Sequence, residues 1–415
     1  MSLDNVVSTP TSGRWRTLTA APHRVMFFGG AIQLVATLLF WAAELTGRYT
    51  PWWAPLETTV PATWAHPFLM LYGLFLFFIF GFLMTTYPRW MNGPLVERRE
   101  YVGAFLLLFA GQAVFYLGLF TTSGLVALGV VLFLVGWGFG IHALLRVFRA
   151  APARDKSYER WLNLAHFLGW LGAAGYLVWI LSGEALWLRL SMNLGLWLFL
   201  VPLFVTVAHR MVPFFSYCVL PDYQQIQPRW SLPVIWSGFL VHALLELGGL
   251  SMWSLFVDLP LGLVILWHSR AWQFRRSLSI RLLAVLHIAV LVLGVAMLFY
   301  GVRSIVWLAA GADLLGRAPL HLLGIGFMAA MVIGMATRVS LGHSGRKLEM
   351  DRYNWACFWG LILAALLRVL GELPGFNAMV NLNLFAAALW LLSAGGWAVR
   401  FLPVYLTPRV DGKPG

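Results

Sequence analysis

The chain has 415 residues, of which 60% are hydrophobic and only 11% are charged, and its mean hydropathy is +0.78. A soluble domain is nearer half apolar and a quarter charged, so polar surface is too scarce here to cover a water-exposed globule and lipid must solvate most of the chain. The net charge of +13 does not point to nucleic acid, because the basic residues lie in short loops between apolar runs, where they set topology.

Residues 1–24 are polar and read as a cytoplasmic tail, with no cleavable signal peptide before the first apolar run. A hydrocarbon core about 30 Å thick needs roughly 20 apolar residues per helix. Such runs fall near 25–45, 66–87, 101–120, 125–148, 161–182, 188–209, 231–250, 254–274, 280–300, 319–340, 353–372 and 377–400. The expected architecture is therefore all-α: a twelve-helix transmembrane domain over 25–402 and a cytoplasmic tail over 403–415. An even number of spans puts both termini on one side. Of the 29 Lys and Arg, 24 fall in loops on the side of the termini. Only Arg48, Arg189, Arg303 and Arg317 fall opposite, and Arg368 lies inside a span. That asymmetry alternates at every loop, which supports both the span count and an N-in, C-in orientation.

Cys218 and Cys357 stand far apart, so no disulfide framework or thiolate metal site is implied. Gly136, Gly138 and Gly140, and again Gly324 and Gly326, suit close helix packing. Pro202 and Pro260 fall inside runs and are expected to kink them. Two matching halves, the mark of many transporters, are not evident.

Ionisable groups in hydrocarbon are rare, and each is a functional candidate. A single histidine near a helix end is commonly satisfied by a neighbouring carbonyl. His23 and His343 fall outside the runs, and His142, His166, His209, His268 and His287 near their inner ends. His66 and His321 open the second and tenth runs, both at the outer side. Two imidazoles at one depth are what the two axial positions of a haem iron require. His242 and Glu246 share one helix face; a proton path, a metal site or a plain hydrogen-bonded pair would all use that spacing. Trp52, Trp53 and Trp64 suit an aromatic belt at the interface. Arg338 and Arg346 sit at the inner mouth of the tenth run, where setting topology is the expected job.

Leu320-His321-Leu322-Leu323-Gly324, running on to Thr337-Arg338-Val339-Ser340-Leu341-Gly342-His343-Ser344-Gly345-Arg346, resembles a diagnostic segment of the NnrS family. Gly81-Phe82-Leu83-Met84-Thr85 with Pro88 and Trp90, Arg210-Met211-Val212-Pro213-Phe214-Phe215, and Leu286-His287 are similar to the same family. The resemblance implies a bacterial inner-membrane protein of the nitric oxide response that contains haem and copper. One departure bears on copper. The family pattern at the start of helix two is Trp-His-x-His-Glu-Met, whereas this chain has Ala65-His66-Pro67-Phe68-Leu69-Met70. Helix two also resembles that of the haem-copper oxidase catalytic subunit, whose histidine there ligates a low-spin haem with a partner on helix ten. Leu323 stands where that family needs a second helix-ten histidine, and His242 is alone on helix seven.

The expectation is thus a b-type haem held by His66 and His321, with His242, Glu246, His209, His287 and Arg338 as further candidates. Covalent haem is excluded because no CxxCH occurs, the electron donor is unspecified, and no turnover reaction is assigned. The alternative is a haem-free transporter of a small molecule or ion, lined by Pro202, His242, Glu246 and Arg368.

Overall fold

The computed structural model describes residues 13–376 and 381–413. Residues 1–12 of the expected tail, the start of the twelfth run at 377, and residues 414–415 lie outside the described residues. Twelve long helices follow in chain order: α1 Pro22–Tyr49, α2 Ala62–Trp90, α3 Arg98–Leu119, α4 Ser123–Ala150, α5 Ser157–Ser182 and α6 Ala185–Val219. The second half comprises α7 Ser231–Leu247, α8 Leu255–Ala271, α9 Arg281–Ala310, α10 Ala318–His343, α11 Arg352–Leu370 and α12 Leu382–Leu406. Ten of them are long and apolar enough to cross a membrane. The exceptions, α7 and α8, have 17 residues each, the short limit for a span. The protein is a helical, multi-pass membrane-type bundle, and no strand occurs among the described residues.

Short connections make consecutive helices neighbours, and α12 packs back against α1, so the first and last helices meet. The starts of even-numbered helices and the ends of odd-numbered ones therefore share one end of the bundle. Helices α2, α6 and α10 meet in the interior: their turns touch along the α2–α6 and α2–α10 seams, and Phe204 of α6 meets Phe327 of α10. Between them, with Phe27 of α1, lies a wholly apolar cavity of about 50 Å³ walled by Phe78, Phe82, Leu203, Phe204, Met331 and Met335.

Each of these three interior helices contains a π-helical stretch: Leu69–Leu74 in α2, Leu194–Leu200 in α6 and Leu322–Ala329 in α10. In α6 the Val201 amide donates to the Leu196 carbonyl, and in α10 the Ala330 amide donates to the Ile325 carbonyl. The wider turn in α6 ends just before Pro202, whose ring would collide with the carbonyl four residues back in a regular helix. Pro202 and Pro260 stay within continuous helices. Such stretches tend to mark functional sites.

The α3–α4 hairpin is packed backbone to backbone. A Cβ on Gly111 would lie 2.7 Å from the Phe133 amide nitrogen, and one on Gly129 would lie 2.6 Å from that of Phe115. Gly136 and Gly140 are closed in the same sense, by Leu108 and by the Phe80 ring, whereas Gly138 has only Trp170 at 4.0 Å.

Candidate functional site

His66 is in the first turns of α2 and His321 in the first turn of α10, so alternation of the helices puts both at one end of the bundle. They are close enough to interact electrostatically. His321 Nδ1 lies 2.9 Å from the Arg317 carbonyl. A carbonyl only accepts, so Nδ1 carries the proton and Nε2 presents a bare lone pair. That arrangement typifies a metal-ligating imidazole, whose other nitrogen donates to a fixed acceptor. His66 stacks on Trp41 with ring centroids 4.0 Å apart, and its Nδ1 is buried without a hydrogen-bond partner. Stacking fixes the ring plane and leaves the in-plane nitrogens uncommitted.

Arg368, near the end of α11, faces both histidines electrostatically. One side of its guanidinium pairs with Glu372, and its Nη1 is buried with no partner. An unpaired guanidinium nitrogen out of water is costly unless an anion meets it. Sequence reading placed Arg368 on a transporter lining and missed its company. The signal was its depth, because an arginine at the C-terminal end of an odd-numbered helix falls level with residues that open even-numbered ones. A Cβ on Gly324, one turn inward of His321, would touch nothing within 4 Å, so there is open space beside that imidazole. Gly73, two turns past His66, is instead filled by the Gln112 amide at 2.8 Å and leaves no room for a ligand.

The remaining candidates fall into separate groups. His242 and Glu246 stand together on α7, and the structure adds Asp258 of α8, with Oδ1 2.7 Å from His242 Nδ1. His209 is committed at both nitrogens, to Tyr158 Oη at 2.8 Å and Ser231 Oγ at 2.7 Å. Its ring lies 5.5 Å from that of His268. His287 shares a hydrogen bond with Ser216 at 2.9 Å. Arg338 lies 3.9 Å over the Phe215 ring. His142 is exposed on the outside of α4. His23 and His343, expected beyond the helices, lie in the first turn of α1 and the last residue of α10, with rings 4.6 Å apart. Among the described residues, no group of three or more His, Cys, Asp or Glu is arranged to hold a metal ion.

The donor set at His66 and His321 fits a haem, because the porphyrin supplies four nitrogens and the protein need add only two imidazoles. Arg368, with a free guanidinium edge, fits a haem carboxylate beside them. Fold and site together define a polytopic α-helical membrane protein with a histidine pair near one end of its interior helices. The family model described as NnrS protein matches residues 17–409, and the chain belongs to the NnrS family. No curated protein matches the chain.

Proposed function

We propose that this protein binds a b-type haem between His66 and His321 in the bacterial inner membrane and serves the nitric oxide response to which its family is linked. The observation that carries the reading is the state of the two imidazoles. His321 is held in the tautomer that bares Nε2, and His66, close to it, keeps its Nδ1 buried and without a hydrogen-bond partner. A haem held there would supply one-electron chemistry, with His66 and His321 both engaged in holding it. Trp41 fixes the plane of one ring, the Arg317 carbonyl orients the other, and Arg368 offers a counter-charge for a propionate. The transporter reading loses support because its lining residues do not converge. Arg368 stands with His66 and His321, whereas His242 and Glu246 stand with Asp258 and Trp197.

The test is spectroscopic. The purified protein should show a Soret band and a low-spin reduced spectrum. Changing His66 or His321 to alanine should lower the haem-to-protein ratio or convert the spectrum to high-spin, while alanine at His142 should do neither. Unchanged spectra in both single variants would rule the assignment out.

A further inference from the structure

At the same end of the bundle, but around α7, α8 and α9, lies a largely buried polar cluster. We propose that His242 is a proton-binding site, loaded and unloaded from that end through Glu246. The two ring nitrogens face two carboxylates: Nδ1 is 2.7 Å from Asp258 Oδ1, and Nε2 is 3.7 Å from Glu246 Oε2. A neutral imidazole has one N–H and serves one of them; only the imidazolium directs a proton at both. Asp258 is fully buried, and its other oxygen accepts from Ser254 Oγ at 2.6 Å, which is itself 3.0 Å from Ser304 Oγ. The inner carboxylate is therefore fixed. The outer one is not: the Glu246 side chain is 45% exposed, and it is steadied by the Trp197 indole N–H at 2.8 Å. A gap of 3.7 Å is beyond hydrogen-bond reach, and one water or a turn of the Glu246 side chain closes it.

The charged and titratable groups around the ring are Glu246 on its own helix, Asp258 of α8, and Tyr300 and Arg303 of α9. Arg303 is engaged by Asp313. With Asp258 and Glu246 ionised, a neutral ring leaves two carboxylates facing each other across it, and a single proton on the ring balances one of them. That proton enters from the aqueous side, is taken up by the Glu246 carboxylate, passes from the resulting carboxyl to the bare Nε2, and leaves by the reverse route.

Trp197 is a built-in reporter, because its ring centroid lies 3.8 Å from that of His242 and an imidazolium quenches indole emission more than a neutral imidazole does. The full-length protein, reconstituted in vesicles, is titrated from about pH 4 to about pH 10 on each side in turn while tryptophan emission is followed. Wild type should show a step that responds to the side carrying residues 50–61. W197F and H242N should lack it, and W236F should keep it. E246Q should retain the step with its midpoint lowered by about one pH unit, since one neighbouring negative charge is gone. A wild-type minus W197F difference that is flat across the range, a step that survives in H242N, an E246Q midpoint that does not move, or a response only to the opposite side would each overturn the proposal. The E246Q arm keeps the test decisive should H242N fail to fold.

Discussion

Arg368 Nη1 is a buried guanidinium nitrogen without a partner, facing the histidine pair, and a hydrogen bond to a charged partner is worth about 2 kcal/mol. If it holds a propionate, Arg368→Gln should speed haem loss to apomyoglobin by roughly thirtyfold, a factor that corresponds to that energy; transfer at the wild-type rate would remove Arg368 from the site. If the histidine and glutamate of the family pattern hold copper, Phe68 and Leu69 remove that donor set from this chain. Both are fully buried here, and Phe68 stacks between Phe115 and Tyr176 with centroids 4.7 and 4.5 Å away. Those positions are apolar core in this chain, so metal analysis of the purified protein should find iron and little or no copper. Stoichiometric copper that survives dialysis against a mild chelator would place a copper site among other residues.

Among the elements, α3 and α4 offer the sharpest test of packing. Leucine at Gly111 would drive a side chain into the α4 backbone, and overpacking of this kind costs about 1–3 kcal/mol. Gly111→Leu and Gly129→Leu should therefore lower the thermal midpoint in detergent. Gly103→Leu should not, because the nearest atom to a Cβ there is a Phe139 ring carbon at 3.8 Å; equal midpoints for all three would contradict the close approach. The helices themselves were legible in the sequence, because apolar run length is a strong signal. Their π-helical stretches were not. Composition does not distinguish a turn bonded five residues back from one bonded four back, and only Pro202 hinted that α6 departs from a regular ladder. Partnerships were hidden for a related reason. His242 and Glu246 could be paired by helical spacing, whereas Asp258 joins them across a helix boundary and Arg368 reaches the histidine pair from α11.

If the lysine and arginine asymmetry sets topology, a reporter active only in the cytoplasm should work when fused within 149–158 or after residue 405, and should be silent within 50–60 or 303–316. Activity at 50–60 would invert the bundle and move His66, His321 and the His242 cluster to the cytoplasmic side. Their shared level would survive, since it depends only on the alternation of helices. The exposure of Trp52 and Trp53 at that end, 74% and 46%, agrees with an interfacial position for the loop.

The apolar cavity between α2, α6 and α10 has a mechanical consequence. Its 50 Å³ amounts to about 30 mL per mole of protein, within the span of volume changes that make folded proteins yield to hydrostatic pressure. Met331 and Met335 in its wall are unbranched and can swing into the space, whereas the α3–α4 seam is closed at Gly111 and Gly129. Compression is therefore expected to be taken up first at this site between the three interior helices.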